Sequence, residues 1–193
     1  MYSQSDEEQY ILEACKGSER KRLLDIGAFH PTVFSNSRAL IELGWEAILI
    51  EPSPGPVRDL AREYSSSLKV NVVCAAAGLE SGLVRIWISD DAVSTSEDST
   101  KETWKERGGY YGSILIPALT INQLIERFGA FDFVSIDTEG TSVDLLKVLL
   151  ATEMFPRCIC VEHDRRELEA IQTAQQRGYR LIWSTRENLI FSL

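Results

Sequence analysis

No apolar run in this 193-residue chain approaches the roughly 20 residues that a membrane span needs, and no secretory signal opens it. The expectation is a cytoplasmic protein with no membrane span. Positive charge is in short supply: 20 Lys and Arg stand against 29 Asp and Glu, a formal charge of −9. Duplex nucleic acid favours a basic surface, so no nucleic-acid partner is expected. The four cysteines, Cys15, Cys74, Cys158 and Cys160, have no metal-ligand spacing. Cys158 and Cys160 lie two apart in a predicted strand and share a face, which reads as buried thiols in a reduced protein.

What is present suits one well-buried domain. At 44% hydrophobic, the chain is too short for two comfortable cores. The expected organisation is one domain over 1–193, with a short N-terminal helix (about 5–17) and a loop insertion (about 89–113). Ser5 to Glu8 fits a capping box for the first helix. Strands are predicted at 22–26, 47–50, 70–75, 83–88, 131–136 and 158–161, and helices at 35–43, 54–64, about 142–150 and after Asp164. Val57, Leu60, Ala61 and Tyr64 form the predicted inner stripe of the second of those helices. Thr120 and Gln123 form another capping box, with Ile121, Leu124, Ile125 and Phe128 as the buried stripe. Asp164 with Glu167 reads as the cap of the last long helix, and 180–183 with 189–191 as a final hairpin. The alternation predicts an α/β fold: a doubly wound, mostly parallel sheet with a C-terminal antiparallel hairpin. The polar run 89–113 reads either as a lid or binding loop or as a disordered surface insertion. Ser94, Thr95, Trp104, Tyr110 and Tyr111 are its candidate acceptor contacts, with packing of a short helix the alternative for Trp104.

The most informative stretch is Leu23-Leu24-Asp25-Ile26-Gly27-Ala28-Phe29-His30-Pro31. An apolar strand ends in an acid and a glycine, and a strand–helix–strand unit later Ile48-Leu49-Ile50 leads into Glu51. This is how a parallel sheet often holds a nucleoside: the glycine lets backbone approach the ligand, and the second acid receives ribose hydroxyls. The three-glycine pattern of a dinucleotide turn is missing. Gly27 stands alone, followed by Phe29 and His30, which suits a ligand without a pyrophosphate, such as S-adenosylmethionine. The competing reading is structural: Asp25 a helix cap, Gly27 a tight turn and Glu51 a solvated strand end.

The sequence also resembles the FkbM family of S-adenosylmethionine-dependent methyltransferases. The matching pieces are Asp25-Ile26-Gly27-Ala28-Phe29, Ser35-Asn36-Ser37, Gly44-Trp45 with Ile50-Glu51-Pro52, Ile136-Asp137-Thr138-Glu139-Gly140, and Val161-Glu162-His163. Asp-x-Glu-Gly is the most family-specific of them. The resemblance implies a cofactor held by Asp25, Gly27, Ala28 and Phe29 in the first turn and by Ser35 and Asn36 beyond it; His30, at the next position, reads as a cofactor-loop or acceptor-facing residue, with a simple turn role as the alternative. It also implies contacts from Glu51 and Pro52, from Ala76 near the adenine, and from Asp137. The fold it implies is that of a class I methyltransferase, and the reaction is methyl transfer to a hydroxyl of a sugar or another small molecule. This chain departs from the family's pattern in having Ser142 where a second acid often follows Asp-x-Glu-Gly, and in the His30-Pro31 continuation of the first turn.

Methyl transfer needs an aligned acceptor and a group that removes its proton. Asp137, Glu139, Glu162 and His163 follow adjacent predicted strands and are expected to converge on one crevice. His163 is the first candidate for general base, because an unperturbed imidazole titrates near neutrality; the alternative is a surface histidine beside Asp164. Glu139 and Asp137 are its catalytic companions. Asp137, Glu139 and Glu162 are also candidate ligands for Mg²⁺, a hard cation suited to oxygen donors. The rival readings are a nicotinamide-dependent oxidoreductase and a non-catalytic cofactor- or partner-binding module on the same fold.

Overall fold

The computed structural model describes residues 1–88 and 112–193. Most of the 89–113 insertion, with Ser94, Thr95, Trp104, Tyr110 and Tyr111, therefore lies outside the described residues. The elements run α1 (Glu7–Ala14), β1 (Arg22–Ile26), α2 (Arg38–Glu42), β2 (Glu46–Glu51), α3 (Pro54–Glu63), β3 (Val70–Cys74), β4 (Ala76–Ala77) and β5 (Gly82–Ile88). After the undescribed stretch come β6 (Gly112–Leu119), α4 (Ile121–Phe128), β7 (Phe133–Ile136), α5 (Ser142–Ala151), β8 (Cys158–Glu162), α6 (Glu167–Gln176), β9 (Arg180–Ser184) and β10 (Asn188–Ser192).

The main sheet has the order β3-β2-β1-β7-β8-β10-β9. Its first five strands are parallel, and β10 runs antiparallel to both β8 and β9. This is the expected doubly wound architecture with its terminal hairpin. The chain steps outward from β1 through β2 to β3, then returns to the other side of β1 as β7. The order reverses between β1 and β7, and a crevice at that point is where such sheets bind ligands.

Period-two alternation gives each central strand two apolar faces. Leu24, Ile26, Val134, Ile136, Ile159 and Val161 bury one face against Leu145, Leu146 and Leu149 of α5. Leu23, Leu49, Phe133, Cys158 and Cys160 bury the other against Ile11, Leu40 and Leu60. Full burial of each of these larger side chains stabilises the fold by about 1.5–3 kcal/mol. Asp25 alternates onto the second face, where its register neighbour across β7 is Ser135. Cys15, Cys158 and Cys160 are buried free thiols, and Cys74 is exposed.

Several local expectations are corrected. The capping pair of α1 is not Ser5: the Glu8 N–H donates to Ser3 Oγ at 3.2 Å, and Glu8 Oε2 accepts from the Tyr2 N–H at 2.7 Å. Helix α2 is one short turn beginning at Arg38, because Ser35 to Ser37 belong to the preceding loop. Of the stripe predicted for α3, Leu60 and the C-cap Tyr64 are buried, Val57 is half-buried and Ala61 is exposed. The Thr120–Gln123 capping box is formed in both directions; Ile121 and Leu124 are buried, while Ile125 and Phe128 are half-buried. β5 joins a separate three-stranded sheet in the order β4-β6-β5, antiparallel to β6. β6 was not predicted from the sequence, since Pro117 lacks an amide donor and polar residues precede it; its register with β5 nevertheless runs unbroken through Pro117. Pro117 is exposed.

Candidate active site

Three loops meet at the carboxyl ends of β1, β2 and β7. The N–H groups of Gly27 and Ala28 both donate to the Ile50 carbonyl, at 2.9 and 3.2 Å, and the Asp137 N–H donates to the Ile26 carbonyl at 2.8 Å. Gly27 has φ +83°, and a Cβ there would lie 1.7 Å from the Asp137 carbonyl oxygen. The glycine is therefore required by contact with the loop after β7. The sequence suggested approach to a ligand; the observed neighbour is the protein's own main chain.

Glu51 fastens the same junction. Its Oε2 accepts the Phe29 N–H at 2.9 Å and its Oε1 the Ser53 N–H at 2.7 Å. Burial pushes this carboxyl up to about 7, although the two amides pull the other way. Phe29 is held at φ +45°, a conformation that costs a bulky residue about 1 kcal/mol or more. Asp25 is pushed up to about 6, first by burial and then by the charge of Asp137, against hydrogen bonds from Ser37 and Ser135. The Ala75 N–H donates to the Glu51 carbonyl at 3.2 Å, which brings Ala76, buried in β4, beside the end of β2. Pro52 is half-buried next to Glu51.

The loop after β1 is braced by His30. Its Nδ1 accepts the N–H groups of Thr32 at 3.1 Å and Val33 at 3.0 Å, so the ring proton resides on Nε2. Ser35 is buried and its hydroxyl accepts the Arg38 N–H at 3.2 Å. Asn36 is half-buried between Ser35 and Ser37.

Beyond β7, Asp137, Glu139 and Glu162 bring carboxylate oxygens within 4.8 Å of one another. Glu139 is in the left-handed region at φ +53°, followed by Gly140 at φ +120°. That turn aims the acid back toward the strand ends. Asp137 and Glu162 hydrogen bond to each other, and both are raised above the usual carboxylate range. Burial is the largest cause for each. The charges of Asp137, Glu139 and Asp164 push Glu162 further, which favours retention of a proton between the two acids. Ser142, standing where an acid was expected, donates from Oγ to Glu162 Oε2 at 3.4 Å and accepts the Thr138 N–H at 3.0 Å.

Asp164 does not cap α6. Its two oxygens accept the N–H groups of Gly140 at 2.9 Å and Ser142 at 2.8 Å, so it caps α5 from the neighbouring loop. The reversal follows from its left-handed backbone, φ +48°, which turns the side chain away from the helix that follows. His163 stands beside this cluster. Its Nδ1 accepts the Arg165 N–H at 3.1 Å, and its Nε2 lies 2.8 Å from the Arg186 carbonyl, which can only accept. Both ring nitrogens are thereby engaged with backbone, and no lone pair is left open for a substrate proton.

The structure thus gathers Asp25, Gly27, Ala28, Phe29, Glu51, Ala76 and Asp137 around one junction of strand ends, with Glu139 and Glu162 adjoining it. Sequence reasoning missed Ser37, Ser135 and Asp164. Ser135 could have been found from the strand register, and Asp164 only from its long-range partners.

The family model described as the methyltransferase FkbM domain matches residues 25–181. Among solved structures, a protein in the NADB-Rossmann superfamily from Streptococcus agalactiae aligns over 97% of this chain and 68% of its own, with 16% identity and a TM-score of 0.49. A precorrin-6y C5,15-methyltransferase from Geobacter metallireducens GS-15 aligns over 96% of this chain and 86% of its own, with 12% identity and a TM-score of 0.45. No curated protein matches the sequence.

Proposed function

As the chain belongs to the methyltransferase FkbM domain family and is a methyltransferase, we propose that its donor is S-adenosylmethionine and its acceptor a hydroxyl of a sugar or another small molecule. The observation that carries this reading is the carboxylate trio Asp137, Glu139 and Glu162, adjoining the buried acids Asp25 and Glu51 at the reversal point of the sheet. The bound sulfonium supplies an electrophilic methyl group. The protein's task is to align the acceptor oxygen behind that methyl and to take the hydroxyl proton as the C–O bond forms and the C–S bond breaks.

In this reading Asp25, Glu51 and the first-turn backbone hold the nucleoside end of the donor. Glu51 keeps acceptor capacity, because two backbone amides and the Ser53 side chain occupy three of the four lone-pair sites on its oxygens. Ala76 and Pro52 border the adenine, and Ser35, Asn36 and His30 support the turn. Asp137 is shared between the donor and acceptor sides. Glu139 is the base: it stands in the trio just beyond β7, where its charge bears on Glu162. His163 contributes by holding the turn at 185–187, since its ring nitrogens are taken up by backbone.

Asp137, Glu139 and Glu162 are also the residues that would hold Mg²⁺, and their oxygen donor set fits a hard divalent cation. Such an ion would orient the acceptor hydroxyl and make it more acidic.

Calorimetry with S-adenosylmethionine, S-adenosylhomocysteine and nicotinamide dinucleotides tests the donor. Tight nicotinamide binding with no S-adenosylmethionine binding would overturn the reading. Release of S-adenosylhomocysteine across a panel of hydroxylated acceptors tests catalysis. Glu139→Ala is expected to abolish turnover while leaving donor binding intact; turnover equal to wild type rejects Glu139 as the base.

A further inference from the structure

Glu7 is a fully buried carboxylate outside the family-matched region, at the first position of α1. Its Oε2 accepts the Ser5 N–H at 2.7 Å. Its Oε1 receives the Asn188 Nδ2 at 3.1 Å and the Thr185 hydroxyl at 3.3 Å, across more than 170 residues of sequence. Asn188 and Thr185 bound the turn between β9 and β10. Thr185 Oγ1 accepts the N–H groups of Glu187 at 3.3 Å and Asn188 at 2.9 Å, which shapes that turn.

The turn in turn holds the acidic cluster. The Glu187 carbonyl accepts the His163 N–H at 2.9 Å, and the Arg186 carbonyl accepts its Nε2. Asn188 is the register partner of Glu162. A continuous set of hydrogen bonds therefore runs from Glu7 through the turn to residues 162–164, whose side chains complete the trio and cap α5. Asn188 Oδ1 is buried with no partner among the described residues, which leaves its Nδ2 bond to Glu7 to orient the amide. The same segment reaches the opposite flank of the crevice: the Tyr2 carbonyl accepts the Ser35 N–H at 3.0 Å in the loop after β1. Residues 2–8 thus form a strap tied to both sides of the site.

We propose that Glu7 is a positioning residue for methyl transfer, fixing the β9–β10 turn and through it Glu162 and His163. This rests on the methyltransferase reading, and the test separates the two. The chain has only two histidines, so nitrogen-resolved NMR of the imidazoles reports His163 with His30 as internal control. In the wild type both rings are expected as the Nε2–H tautomer. In Glu7→Ala the His163 signals move toward those of a freely exchanging imidazole, and the His30 signals stay. Glu7→Gln keeps an oxygen for Asn188 and Thr185 but turns its amide nitrogen to the Ser5 N–H and forfeits that bond, so the His163 signals stay near wild type while the helix start loosens. With an active acceptor, kcat falls about tenfold in Glu7→Ala, the kinetic equivalent of one misplaced hydrogen bond. KM for the donor stays within about twofold, and Glu7→Gln recovers most of the rate. Asn188→Ala breaks the same bond from the other side and removes the unpaired Oδ1, so it serves if Glu7→Ala does not fold. Unchanged His163 signals in these variants, or a kcat loss matched by an equal loss of folded protein, overturns the proposal. A wild type that neither binds S-adenosylmethionine nor turns over hydroxylated acceptors, yet shows the His163 response, rejects the proposed donor and acceptor and leaves the strap standing.

Discussion

Glu51→Gln should change how stability depends on pH, in a direction opposite to that of most carboxylates. Burial raises Glu51 from 4.5 to about 7. Below pH 4.5 the side chain is protonated in both folded and unfolded chains and contributes no difference. As pH rises from there through 7, the unfolded chain ionises first and gains stability relative to the fold. At about 1.4 kcal/mol per pH unit, the interval amounts to about 3 kcal/mol of stability lost by the ligand-free protein. Glutamine removes that loss. It also forfeits one of the two amide bonds to Phe29 and Ser53, a cost that does not vary with pH. The quantity to measure is therefore the difference between the two proteins' unfolding free energies, by urea titration from pH 4.5 to 8. That difference should move by about 3 kcal/mol in favour of glutamine. The range stops at 4.5 because Arg166 holds Asp144 and Glu169 down to about 2, and their stabilising contribution is lost as pH falls toward that value. Parallel pH profiles for wild type and Glu51→Gln would refute the burial argument.

Three further outcomes are expected. Gly27→Ala must move the loop after β7, since its Cβ would overlap the Asp137 carbonyl; a loss of about 3 kcal/mol is expected from overlap and positive φ together, and a loss below about 1 kcal/mol in urea unfolding contradicts it. Asp164→Ala removes both carboxylate bonds at the start of α5 and should cost about 2 kcal/mol by the same assay, while an exposed-residue effect near zero would reject the cap. Metal-free protein at pH 8 should show a protonated-carboxyl band in the infrared from the Asp137–Glu162 pair. That band should vanish in Glu162→Gln, and its absence from the wild type would mean the pair is fully ionised.

The order of strands and helices was legible because each central strand is apolar on both faces and each break carries Gly, Pro or a cap. Asp25, Gly27 and Glu51 could be placed from the same pattern, since a strand's carboxyl end is fixed once the strand is found. What the sequence concealed depends on contacts between distant residues. Asp164 sits three residues before Glu167, as a cap should, yet a left-handed backbone gives its carboxylate to α5. His163 has the chemistry of a base, but its two nitrogens are claimed by Arg165 and Arg186, and only the folded hairpin brings Arg186 there. Gly27 was rightly singled out, although the close approach it permits is to Asp137. β6 escaped notice because Pro117 and the polar residues ahead of it mask an alternating strand.

The distribution of thiols has a practical side. Three of the four cysteines are sealed in the interior, and Cys74 is open to solvent at the end of β3, the register partner of Glu51. A maleimide dye added to the native protein should therefore attach once, one strand away from the acid assigned to the ribose. That gives the protein a built-in attachment point for a fluorescent reporter of donor binding, without any engineered cysteine. More than one dye per folded chain would mean that the interior thiols are less enclosed than described.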